Sequence, residues 1–174
     1  MKLGDKAPDF KLKGTDGKIY SLADFKDAKA LVVIFSCNHC PYVQAYEGRM
    51  IAIQKDYAGK GAKLVLVNSN DAENYPDDSY ANMVSRAKEL GYNFPYLVDE
   101  TQDVAKAYGA THTPHLFVFD SARKLAYTGK IDDDWKNAAA AKQHFLRDAL
   151  DDLLAGKAPG LPETHAIGCT IKWK

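Results

Sequence analysis

Ala30-Leu31-Val32-Val33-Ile34-Phe35-Ser36-Cys37-Asn38-His39-Cys40 decides the fold. Its first six residues are apolar, with β-branched Val32, Val33 and Ile34 at the centre, and read as a strand buried on both faces. Beyond it Val43, Tyr46, Met50, Ile53 and Tyr57 recur every three or four residues, which predicts a helix over 38–58. Two cysteines three apart therefore sit where a buried strand turns into a helix. Unsatisfied N–H groups and the macrodipole favour an anion there, so a thiol should ionise more readily than free cysteine, at about 8.5. Cys37, first at the helix end and expected to be the more exposed, is the candidate nucleophile. Cys40, one turn inside, is placed to close a disulfide. His39 either stabilises the Cys37 thiolate and passes protons, or is an exposed first-turn residue. The same spacing also serves half of a zinc site, with His112 and His115 as further ligands, or a static disulfide.

Working outward, strand-length apolar runs alternate with helix-length segments, the α/β pattern in which crossover helices cover a largely parallel sheet. Lys11 to Leu22 predicts a hairpin turning at Asp16-Gly17, within an N-terminal extension over 1–29. Strands are expected at 63–67, 96–98, 115–119 and 124–129, and helices at 78–90, 101–108 and 137–154. Asn68 to Asp78 breaks all periodicity and reads as a loop. The tail over 157–174, with Pro159 and Pro162, reads as irregular, held by Ile171 and Trp173. No repeat or second domain is apparent, so one domain over 1–174 is expected.

Composition narrows the partners. Lys plus Arg and Asp plus Glu both total 23, so no net field favours nucleic acid or an anionic membrane. The longest apolar run, Ala30 to Phe35, falls far short of the roughly 20 residues of a spanning helix. Met1 to Phe10 lacks the apolar stretch of a secretory signal, and a cytoplasmic location is expected. Three cysteines are too few for a disulfide framework. Asp132-Asp133-Asp134 reads as a solvated acidic turn rather than a cation site.

Gly4-Asp5-Lys6-Ala7-Pro8-Asp9-Phe10, Asp16-Gly17-Lys18, the strand with its Cys-x-x-Cys, Val98-Asp99-Glu100, Ala107-Tyr108-Gly109-Ala110 and Thr113-Pro114 together resemble the thioredoxin-like superfamily, in its redoxin branch. The resemblance implies a central mixed sheet flanked by helices. It also implies a cis Thr113-Pro114 bond packed on the dithiol and offering backbone hydrogen bonds to an extended substrate. Thiol-disulfide oxidoreductase activity follows, with a protein or small-molecule disulfide as substrate, an electron-donating reductase or thiol as partner, and no bound cofactor. The pattern departs at Ser36 and Asn38-His39. Leu31 and Val43 stand where relatives carry a buried acid, leaving His115 or water to take the proton of Cys40. A thiol peroxidase is the alternative, but its Thr or Ser three residues and Pro seven residues before the reactive cysteine are replaced by Ile34 and Ala30. An alternative of another class is a copper or zinc carrier using Cys37, Cys40 and His112 or His115. Cys169 either packs as a small hydrophobe beneath Trp173 or is brought over the dithiol by the tail to exchange with it.

Overall fold

Asp16-Gly17, with Gly17 at φ +82°, turns β1 (Leu12–Gly14) into β2 (Ile19–Tyr20) as the hairpin pattern predicts, and Asp16 accepts the Tyr20 hydroxyl at 2.5 Å. The computed structural model describes all 174 residues. From the hairpin the chain enters β3 (Ala30–Ser36), α1 (Pro41–Tyr57), β4 (Ala62–Asn68), α2 (Tyr80–Leu90), β5 (Tyr96–Val98) and α3 (Asp103–Tyr108). It closes with β6 (His112–Thr113), β7 (His115–Phe119), β8 (Leu125–Gly129), α4 (Phe145–Leu154) and β9 (Cys169–Thr170).

Seven strands form one mixed sheet in the order β2-β1-β5-β4-β3-β7-β8, and β6 pairs with β9 apart from it. β3 lies inside the sheet, parallel to β4 and antiparallel to β7. Its period-2 pleat explains its unbroken apolar run. Val32 and Ile34 face a core built with Tyr46, Met50 and Ile53 of α1, while Leu31, Val33 and Phe35 face a second core with Tyr108 of α3. Both faces are therefore dry, and each such side chain stabilises the fold by about 1.5–3 kcal/mol. No helix is long and apolar enough to cross a membrane.

The buried carboxylate of Glu47 joins α1 to α2. Its oxygens accept Arg86 Nε at 2.6 Å and Nη2 at 2.5 Å, and the Tyr92 hydroxyl at 2.6 Å. Glu47→Ala strands a partly buried guanidinium and is expected to cost about 3 kcal/mol in urea unfolding. A loss below about 1 kcal/mol would show the bridge to be no more than a surface pair.

Three expectations need correction. The last helix begins at Phe145, not Asn137; the alanines 138–140 form one exposed 3-10 turn with no apolar face to bury. The acidic run is not wholly solvated. Asp132 is 3% exposed and clamped by Arg49 Nη1 at 2.9 and 2.8 Å and by the Tyr46 hydroxyl at 2.9 Å. Nor is the tail irregular throughout, because β9 pairs antiparallel with β6 and Ile171 is buried in the second core. Trp173, expected to help hold the tail, is 43% exposed.

Candidate active site

Pro41 starts α1 because its missing N–H and fixed φ suit the first helical position, which makes Cys40 the N-cap. The helix therefore begins later than 38, and the end of the macrodipole falls on Cys40 rather than Cys37. Neither thiol is exposed: Cys37 is 1% and Cys40 0% accessible. The greater exposure expected of Cys37 is thus absent.

Both sulfurs meet Thr113. Cys37 Sγ lies 3.5 Å from Thr113 Oγ1 and Cys40 Sγ lies 3.4 Å from the Thr113 carbonyl oxygen. The Thr113-Pro114 bond is cis, as the resemblance implies. The pair shares one ionisation. The Cys37 thiol is pushed well up, first by its hydrogen bond to Cys40, then by burial and the charge of Asp78. The Cys40 thiol is drawn down, chiefly by the hydrogen bond from Cys37, against burial and with help from the Cys169 thiol.

The loop between the cysteines is held by a residue that sequence reasoning missed. Asp78, 3% exposed, accepts the N–H of Asn38 at 2.7 Å and of His39 at 3.0 Å on one oxygen, and Asn70 Nδ2 at 2.9 Å on the other. Asn38 turns inward, where its Oδ1 accepts the Tyr96 hydroxyl at 2.8 Å. These bonds fix the dithiol loop against the β4 end of the sheet. The available signal was an acidic pair, Asp77-Asp78, where the loop over 68–78 meets the next helix.

The histidines stand outside the sulfur contacts. His39 exposes its ring, 3.9 Å from the Asp77 carboxylate, and hydrogen-bonds neither sulfur. His112 Nδ1 is 2.7 Å from Thr111 Oγ1. His115 Nδ1 accepts the Thr111 N–H at 3.2 Å, and its Nε2 lies 3.5 Å from Thr128 Oγ1. No three His, Cys, Asp or Glu side chains are grouped to hold a metal ion.

Burial pushes the His115 imidazole down to about 4, with the neighbouring His112 and the N-terminus adding to it. The unfolded chain, near 6.5, binds this proton more readily, so the contribution is complete above 6.5 and is lost as pH falls toward 4. The loss is expected to reach about 3 kcal/mol by urea unfolding. His115→Gln should flatten that part of the profile, and an unchanged slope would contradict the assignment.

Cys169 packs on the cluster of Cys37, Cys40 and Val43 rather than beneath Trp173. Its Sγ stands 2.7 Å from Cys40 Sγ.

Known proteins resemble this chain in sequence and in fold. Thiol-disulfide oxidoreductase ResA of Geobacillus thermodenitrificans is 25% identical over 127 residues, covering 72% of this chain and 67% of that protein. The crystal structure of an uncharacterized conserved protein from Geobacillus kaustophilus superposes with a TM-score of 0.94 at 46% identity, over 99% of this chain and 93% of that one. A hypothetical protein from Sinorhizobium meliloti 1021 superposes with a TM-score of 0.93 at 41% identity, over 100% of this chain and 96% of that one. The model of the AhpC/TSA family matches residues 3–128, the segment that carries the hairpin, the dithiol and the Thr113-Pro114 loop. With a thioredoxin-like fold and a thioredoxin-like redox function, the chain belongs to the AhpC/TSA family.

Proposed function

We propose that the chain is a thiol-disulfide oxidoreductase in which Cys37 and Cys40 cycle between dithiol and disulfide, acting on protein or small-molecule disulfides. The observation that carries this reading is the meeting of both sulfurs on Thr113, at the start of α1. A helix N-terminus supports a thiolate, and a second thiol in contact supplies the group that resolves a mixed disulfide. The thiolate attacks one sulfur of a substrate disulfide, and the other substrate half leaves as a thiol. The remaining thiol then displaces the bound half, and the Cys37–Cys40 bond closes. An external thiol or reductase returns the pair to the dithiol.

With the tail in place the thiolate rests on Cys40, and the burial of Cys37 removes the exposure that assigned it the attack. Serine variants made on a Cys169→Ser background separate the roles: the variant that keeps the attacking sulfur accumulates mixed disulfides with its substrates in a reducing cell extract, visible on non-reducing gels. A trap that captures nothing in Cys37→Ser and Cys40→Ser, while both turn over a model disulfide, would overturn the reading. The peroxidase alternative lacks its residues: three and seven residues before Cys37 stand Ile34 and Ala30, buried apolar side chains of β3 rather than a Thr or Ser and a Pro.

A further inference from the structure

β9 occupies the backbone edge beside Thr113-Pro114. Thr113 pairs with Cys169, His112 with Thr170, and the Ile171 N–H donates to the Thr111 carbonyl at 3.0 Å. The approach is backbone on backbone, since a Cβ at Gly168 would fall 2.0 Å from the Thr113 carbonyl oxygen. Beyond the strand the tail is anchored again. The Lys172 carbonyl accepts the Asp71 N–H at 2.8 Å and Gln102 Nε2 at 2.9 Å, and the Lys172 N–H donates to Asn70 Oδ1 at 2.9 Å. Ile171, 3% exposed, plugs the second core. These ties leave Cys169 little freedom, and its sulfur is held 2.7 Å from Cys40 Sγ.

We propose that Cys169 is a third redox thiol, which exchanges with the Cys37–Cys40 disulfide to form a Cys40–Cys169 disulfide and free Cys37. This rests on the oxidoreductase reading above, which supplies the Cys37–Cys40 bond. The Cys169 sulfur attacks Cys40 Sγ, the Cys40–Cys169 bond forms, and the Cys37–Cys40 bond breaks. The proton lost by Cys169 is gained by Cys37, and no outside oxidant is consumed. The product joins the tail covalently to the dithiol and closes the Thr113-Pro114 edge to an extended substrate. The tail thus acts as an internal substrate that competes with external disulfides for the pair.

Oxidising Cys37→Ser with oxidised glutathione and mapping its tryptic peptides without reduction tests this. The peptides 30–49 and 158–172 carry the three cysteines, two in the first and one in the second. The expected result is a covalent join of the two through Cys40 and Cys169 in most molecules. Glutathione adducts or intermolecular dimers in place of that join overturn the proposal, and Cys37→Ala gives the same reading should serine unfold the chain. Cys169→Ser, oxidised in parallel, reads the underlying couple. A Cys37–Cys40 bridge there without the join in Cys37→Ser overturns only the role of Cys169. No bridge and no join overturns both readings. A join in Cys37→Ser without a bridge in Cys169→Ser removes the disulfide on which the exchange depends, and the proposal fails with it.

Discussion

On a Cys169→Ser background, Cys37→Ser and Cys40→Ser are each expected to lower steady-state reduction of a model disulfide such as insulin by about 10³-fold or more, because covalent catalysis fails when either partner of a two-thiol cycle is missing. The loss should be the same size in both variants and should not grow in the double variant, since the thiols act as one unit. Stability should move far less. Both sulfurs are buried, but serine is nearly isosteric and Thr113 offers each an oxygen partner. Additive losses, or turnover that survives either substitution, would show that the sulfurs do not act as a couple.

Gly168→Val is expected to raise the rate at which iodoacetamide alkylates Cys37 and Cys40. The added Cβ would stand 2.0 Å from the Thr113 carbonyl oxygen and 2.7 Å from its carbon, and neither is a flexible side-chain end that can move aside. Overpacking of this kind costs about 1–3 kcal/mol, and each 1.4 kcal/mol is tenfold in an opening equilibrium, so alkylation should rise about 10- to 100-fold. The seven-stranded sheet and the first core lie elsewhere, so near-ultraviolet circular dichroism should keep its folded signature. Unchanged alkylation in a folded variant would mean that β9 does not gate the dithiol.

The parts of this structure legible in the sequence are those set by local pattern. Ala30 to Phe35 could only be a central strand, because no alternation marks a solvent face. The cysteine spacing located the dithiol, and Asp16-Gly17 located the hairpin turn. The parts that were not legible depend on partners distant in the chain. Asp78 reaches the Asn38 and His39 N–H groups from a loop about 40 residues on, and nothing in its own neighbourhood marks that use. β9 is two residues long and has no period of its own; it is a strand because Thr113 offers an edge. Ala138 to Ala140 misled in the other direction, since high helix propensity does not make a helix where nothing is buried. The acid Glu47, two helical turns or about 10 Å along α1 from Cys40, is committed to Arg86 and Tyr92.

The exposure assigned to Cys37 failed for the same reason. Position at a strand-to-helix junction predicts an open thiol, whereas here Thr113 lies on Cys37 and Cys169 packs on the cysteine cluster. The helix N-terminus then belongs to Cys40, because Pro41 starts the first turn.

The most direct test of the central claim is a redox titration of Cys169→Ser against graded ratios of reduced and oxidised glutathione, with the mass of the 30–49 peptide read after acid quench. The account predicts a single two-electron transition in which that peptide loses two hydrogens and gains an internal Cys37–Cys40 bridge, reversed on return to excess thiol. A peptide that stays reduced, or carries only glutathione adducts at every ratio, would contradict it.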